Sequence, residues 1–273
     1  MELIVIGAGP AYTDRRGAAA SSYLLRAGSA ALLLDLGQGA FSNLASEFEP
    51  SELTAVLVSH LHPDHFVDLV ALRHYLKWEF NPARRARVLG PAGLADRLDA
   101  LDGHPGFAAA SLDVETLSEG VHRFGPFEVE ARRVTHAGES HAFRVTNGSG
   151  AASPVLGTSA AGGASTAGGA STGGHRAGLV YSGDCARAED LLPLIHPGDT
   201  LLSEASFGAG PIAPGAQHIT SGDAARMATG GGAARLLLTH VLSGQSRDAT
   251  IAAAQAAFAG PVQLVTEGDR FEV

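Results

Sequence analysis

The stretch Ser59-His60-Leu61-His62-Pro63-Asp64-His65 constrains this chain more than any other. It follows Leu53–Val58, an apolar run that reads as a buried strand. Four side chains able to bind a metal therefore crowd the end of one strand. In an extended or turning backbone His60 and His62 point to the same side, because side chains alternate with a period of two. Asp64 and His65 come after the turn at Pro63 and can reach a second centre. Imidazole and carboxylate ligands suit zinc, manganese or iron, and no thiolate is required. Two histidines on one ion and an Asp-His pair on another is the layout of a two-metal site. The competing reading is a histidine-rich surface loop, and so dense a cluster directly after a strand weighs against it.

Composition narrows the partners. The net charge of −9 argues against broad, non-specific binding to a phosphate backbone, which needs a basic surface. The single cysteine, Cys185, excludes an internal disulfide and a thiolate cluster. No apolar run approaches the roughly 18–20 residues that span a bilayer. Met1-Glu2-Leu3-Ile4-Val5-Ile6-Gly7 places an acid where a signal peptide carries positive charge. A soluble cytoplasmic protein with no membrane partner is the expectation. At 273 residues the chain can build one large core or two small ones.

Along the chain, Leu3–Ile6 reads as a strand followed by Gly7-Ala8-Gly9-Pro10. This is not a dinucleotide fingerprint: Tyr12 replaces the third glycine, and a polar turn follows instead of a helix. A glycine turn beside the metal site fits better, because glycine permits close backbone approach. Ser22–Arg26 and Ala31–Asp35 read as strands, and Phe41–Phe48 as a short helix. Val67–Trp78 carries Val67, Val70, Ala71, His74 and Tyr75 at helical spacing, with His74 as a core or cap residue. Arg87–Leu89 and Gly93–Leu101 read as strand then helix. His104 and His122 fall in or near turns.

Phe127–Thr135 alternates like a half-buried strand and ends at His136, placed to be a third ligand for the first ion. Ala142–Thr146 reads as the next strand, and His141 before it is either a substrate contact or a surface residue. The tract at about 147–178 is mostly Gly, Ala, Ser and Thr, and Ala161–Thr166 repeats as Ala167–Thr172. It can bury too little to offset its ordering entropy, so a flexible surface loop is expected within a single domain spanning 1–273. Leu179–Asp184 and Thr200–Glu204 are strands ending on acids, and Arg235–Thr239 is a strand ending at His240. Ala224–Thr229 reads as a helix capped by Thr220 or Ser221, and Ser246–Phe258 as an alanine-rich helix. Pro261–Val265 and Arg270–Val273 close the chain with strand-like runs.

The pattern HxHxDH at His60, His62, Asp64 and His65 resembles the signature of the metallo-β-lactamase superfamily. The later strand ends at His136, Asp184 and His240 extend the resemblance over essentially the whole chain. It implies an α/β fold: a four-layer αβ/βα sandwich of two mixed β-sheets with helices outside and metals at one edge. It implies two divalent ions, zinc first, with manganese or iron as alternatives. His60, His62, His136 and Asp184 would hold one, and Asp64, His65, Asp184 and His240 the other, with Asp184 bridging. Cys185 would not be a ligand. Such a pair lets hydroxide exist near neutral pH, and Asp64 would orient it or accept its proton.

The turn after His136 and the strand Ala142-Phe143-Arg144-Val145 look most like the branch containing ribonuclease Z and related phosphodiesterases. That branch pairs a carboxylate in a Glu-Ala-Ser/Thr element with a His-x-Thr element, here Glu204 and His218, as a proton donor to the leaving oxygen. A ribonuclease Z grips RNA with a long arm between the third and fourth motifs, where this chain has only the Gly/Ala/Ser/Thr tract. With the negative charge, this weighs against a large RNA substrate. Ser22-Tyr23-Leu24-Leu25 and the segment after His240 look closer to compact bacterial relatives that open cyclic nucleotides. The expected substrate is a small phosphodiester such as cyclic AMP, and dimers are common in this branch, so a homodimer is compatible. The alternatives are a ribonuclease Z-type tRNA 3'-processing endonuclease, a lactonase, thioesterase or β-lactamase-like hydrolase, and a non-catalytic scaffold.

Overall fold

Runs such as Leu32-Leu33-Leu34 and Leu236-Leu237-Leu238 are buried on both sides, as strands covered on both faces must be. The computed structural model describes residues 1–148 and 176–273. The expected loop at about 147–178 therefore lies almost wholly outside the described residues, as do its internal repeat and His175.

The first sheet contains β1 (Glu2–Gly7), β2 (Ser22–Ala27), β3 (Ala30–Leu34), β4 (Ala55–Leu57), β5 (Ala86–Gly90) and β6 (Leu112–Thr116). The second runs through β7 (Gly120–Phe124), β8 (Phe127–Val134), β9 (Ser140–Asn147), β10 (Leu179–Tyr181), β11 (Thr200–Glu204), β12 (Arg235–Thr239) and β13 (Val262–Leu264). β14 (Arg270–Glu272) returns to pair with β1, giving two seven-stranded sheets. Both sheets are mixed. β3 to β6 and β10 to β13 pair in parallel, and the other pairings are antiparallel.

Alternation along each strand divides the apolar side chains among three layers. Leu32, Leu57, Phe127, Phe143, Tyr181 and Leu237 meet between the sheets. Leu33 and Val56 face outward against Leu44 of α1 (Ala40–Glu47), Leu72 and Leu76 of α3 (Leu69–Trp78) and Leu98 of α4 (Leu94–Asp102). Between α1 and α3 lies α2, a single turn over Pro63–Phe66. Val180, Leu201 and Leu236 face α5 (Ser221–Gly231) and α6 (Arg247–Gln255) on the far side. This is the αβ/βα sandwich expected from the sequence.

Caps fix the helices of the second half. The Thr220 hydroxyl accepts from the Asp223 N–H while the Asp223 carboxylate accepts from the Thr220 N–H, a reciprocal capping box. The Ser246 side chain accepts from the Ala249 N–H at the start of α6.

Three expectations need correction. The helix expected over Val67–Trp78 starts two residues later, at Leu69, after the separate turn α2 has ended at Phe66. Its buried face is Leu69, Leu72, Arg73 and Leu76, about one residue round from the expected face, and His74 is exposed. Apolar residues on both faces made the phase ambiguous. His122 lies within β7 and not in a turn, while β6 and β7, edge strands with several exposed positions, carry too little apolar signal to stand out.

Candidate metal centre

The expected metal ligands gather at strand ends along one rim. His60 comes after β4, His136 after β8, Asp184 after β10 and His240 after β12, while Asp64 and His65 ride on α2. Parallel strands end together at one rim, so residues distant in sequence converge there. The ligand atoms of His60, His62, His136 and Asp184 lie within 4.8 Å of one another, as do those of Asp64, His65, Asp184 and His240. Asp184 belongs to both groups.

Each histidine shows which nitrogen it offers. Ser59 Oγ donates to Asp35 Oδ2 at 2.8 Å, so it accepts from His60 Nδ1 at 3.1 Å. His65 Nδ1 donates to Asp35 Oδ2 at 2.7 Å, and His136 Nδ1 donates to the Gln217 carbonyl at 2.9 Å. Ser206 Oγ donates to Glu204 Oε2 at 2.7 Å and accepts from His240 Nδ1 at 2.9 Å. With the proton committed to Nδ1, each Nε2 presents a lone pair inward. His62 is reversed, with Nδ1 3.0 Å from His60 Nε2 and 3.2 Å from His136 Nε2.

Three imidazole nitrogens facing one another cannot all find protons. His65 Nε2 and Asp184 Oδ1 are buried with no hydrogen-bond partner among the described residues. Such groups are costly unless something else satisfies them. Two cations fit this donor set, and its nitrogen-and-oxygen character suits borderline divalent metals.

Electrostatics divides the histidines into two groups. Burial pushes His60, His62 and His136 below the usual histidine range, so their lone pairs are available at neutral pH. Burial also opposes charge on His65 and His240, but the carboxylates around them together outweigh it, Asp184 with Asp35 at His65 and Asp184 with Asp64 at His240, and hold both above that range. Asp184 is itself fully buried, yet His240 and His65 beside it hold its carboxyl well below the ordinary value.

Beside the cluster, His218 Nδ1 lies 3.1 Å from Glu204 Oε1 and 3.7 Å from Asp184 Oδ2. Glu204 is buried and also accepts from the Cys185 N–H at 2.9 Å. Burial opposes protonation of His218, but the hydrogen bond and charge of Glu204 raise it above the usual range. His218 and Glu204 also share ligand distance with His240. His141 is fully buried, which removes the surface reading, and Cys185 contributes its backbone to the site.

Asp35 escaped sequence reasoning. It receives hydrogen bonds from the Ser59 N–H, Ser59 Oγ, His65 Nδ1 and the Tyr181 hydroxyl, at 2.6–2.8 Å. The available signal was an acid ending the apolar run Ala31–Leu34, the same signal that marked Asp184. Asp35 and His240 also hold left-handed backbones, φ 58° and 57°, rare for such residues.

Residues 32–241 match the family model described as a beta-lactamase superfamily domain. The chain belongs to the metallo-β-lactamase superfamily. The uncharacterized protein ML1173 of Mycobacterium leprae is 31% identical over 93% of this chain and 82% of its own length. The probable metallo-hydrolase YhfI of Bacillus subtilis is 26% identical over 92% and 91%, and its crystal structure superposes with a TM-score of 0.80 at 24% identity over 99% of both chains. Ribonuclease Z of Salinispora arenicola is 29% identical over 88% and 85%. A diphosphatase of the PhnP family shares the fold with a TM-score of 0.70 at 14% identity, over 100% of this chain and 97% of the other. Within the superfamily the chain is a ribonuclease Z-like metallo-hydrolase.

Proposed function

We propose that this chain is a phosphodiesterase acting on a small phosphodiester such as cyclic AMP. His60, His62, His136 and Asp184 hold one divalent ion, and Asp64, His65, Asp184 and His240 hold the other. Zinc is the first candidate, with manganese or iron as alternatives. When bound, two such ions lower the pKa of a water between them and neutralise charge on a phosphoryl oxygen.

The chain's own groups supply the rest. The neighbouring His240 and His65 together outweigh burial and hold Asp64 below the usual carboxylate range, so it is an anion that can orient the attacking water and draw its proton. As the new oxygen–phosphorus bond forms, the opposite one breaks. His218 delivers its proton to the departing oxygen, and Glu204 balances the charge and fixes the ring.

The observation that carries this reading is the Glu204–His218 pair at the edge of the cluster. A departing ribose oxygen is strongly basic and needs a proton. The Gly/Ala/Ser/Thr tract between His136 and Asp184, poor in cationic and aromatic residues, and the net charge of −9 favour a small substrate. The similarity to ribonuclease Z keeps tRNA 3'-end processing as the second reading, without a basic surface to support it.

The test is metal analysis of the purified protein coupled to turnover of cyclic nucleotides, precursor tRNA, bis-p-nitrophenyl phosphate, a lactone and nitrocefin. Phosphodiester turnover without lactone or nitrocefin hydrolysis is expected. His218→Ala should lower kcat by roughly 10²–10⁴-fold with metal content intact. Loss of metal would make His218 a ligand, and preferential cleavage of precursor tRNA would replace the cyclic-nucleotide reading.

A further inference from the structure

Next to the first ligand group lies a cleft of about 170 Å³ lined by His62. Its apolar walls are Leu61, Pro91 and Ala137, and its polar groups are Arg97 of α4 and Glu139 of the β8–β9 turn. His62 thus belongs both to the ligand cluster and to the cleft, so a phosphoester held at the cluster would extend its organic part into this space.

The two charged groups differ in their commitments. The Arg97 side chain makes no hydrogen bond or ion pair among the described residues, and Arg97 is exposed on α4. Glu139 is tied at Oε1, 2.8 Å from the Arg133 guanidinium and 3.6 Å from Nε2 of buried His141. Its Oε2 has no hydrogen bond among the described residues. His141, whose ring nitrogens lack hydrogen-bond partners, backs the carboxylate from the protein side.

We infer that this cleft holds the nucleobase of the substrate, and that Arg97 and Glu139 select bases with an exocyclic amino group. A planar guanidinium stacks on a base. A carboxylate accepts from an amino N–H, as Asp and Glu do from cytosine N4. A second phosphate is disfavoured, because Glu139 would face it. The apolar walls suit a ring and not a hydrated ion. Adenine satisfies both polar groups, whereas hypoxanthine presents a carbonyl to Glu139.

This inference rests on the phosphodiesterase reading, and its test separates the two. Dissociation constants for adenosine and inosine, which carry no phosphate, are measured by ligand-observed NMR on the metal-loaded protein. Turnover of cyclic AMP, cyclic IMP and bis-p-nitrophenyl phosphate is measured alongside. Wild-type protein should bind adenosine at least about tenfold more tightly than inosine. Glu139→Gln should narrow that preference, and Arg97→Ala should weaken both nucleosides. The ratio of kcat/KM for cyclic AMP over bis-p-nitrophenyl phosphate should fall about tenfold in each variant, chiefly through KM.

Equal nucleoside affinities, or an unchanged ratio in Arg97→Ala, would overturn the inference. Arg97 is exposed, so that variant should fold even if Glu139→Gln disturbs its neighbours. Failure to hydrolyse any phosphodiester would instead overturn the proposed activity, and nucleoside selectivity would remain measurable without it.

Discussion

Replacing Asp35 by Asn keeps its shape but removes the charge that receives four donors. An Asn amide cannot accept at both positions, so His65 loses the partner that holds its proton on Nδ1. Outer partners of this kind are worth roughly 10–100-fold in metal affinity. Asp35→Asn should weaken the second ion by that factor in a chelator competition, while the fold persists by circular dichroism. Glu204 gives a prediction in pH. It raises His218 above its ordinary range against the pull of burial, so the protonated donor survives to higher pH. Glu204→Gln removes the larger raising causes and leaves burial opposed only by the more weakly acting Asp184. The alkaline limb of the kcat profile should therefore move to lower pH, and an unmoved limb would separate His218 from the proton transfer. The same sign applies to stability. The pair's contribution is full below the unfolded histidine pKa and is lost as pH rises through the folded one.

Elements place these side chains, and glycine sets two of the closest approaches. A Cβ on Gly7 would sit 1.9 Å from the Ala20 carbonyl oxygen, so the first turn packs on the chain's own backbone and not on a ligand. The Ala8 carbonyl beside it accepts from the His240 N–H at 3.0 Å, which confirms that this turn adjoins the site. A Cβ on Gly37 would sit 2.0 Å from the Asp64 carbonyl oxygen. Gly37→Ala must therefore push α2 away from the rim. It should cost about 1–3 kcal/mol, read as a lower Tm, and reduce bound metal from two ions toward one, because Asp64 and His65 share that turn. Most of the elements were legible. Strands ending at His136, Asp184 and His240, and the capped helix after Thr220, follow from local pattern alone. The phase of α3 was not, because Val70, Leu72 and Leu76 give apolar residues on more than one face. Asp35 was visible as a strand-end acid, but only three-dimensional contact reveals that it anchors His65.

At the scale of the whole molecule, local pattern names strands but cannot order them. The meeting of two sheets at one rim came from the resemblance, and the return of β14 to β1 is visible only in the structure. The remaining question at this scale is whether residues 149–175 take part in function. Their stems belong to neighbouring strands, with Val145 opposite Leu179. Arg144 binds both oxygens of Asp199 at 2.8 and 2.9 Å, and Arg176 Nη1 donates to the Asn147 carbonyl at 3.0 Å. The stems are thus tied independently of what lies between them. Replacing 149–175 by a few glycines should leave metal content unchanged and keep bis-p-nitrophenyl phosphate turnover within about twofold. If the shortened protein keeps cyclic-nucleotide activity, the tract is a spacer, as its Gly/Ala/Ser/Thr composition suggests. If it keeps the small chromogenic substrate but loses precursor tRNA cleavage that the full chain performs, the tract grips RNA. The small-substrate reading would then fall while the metal cluster stood.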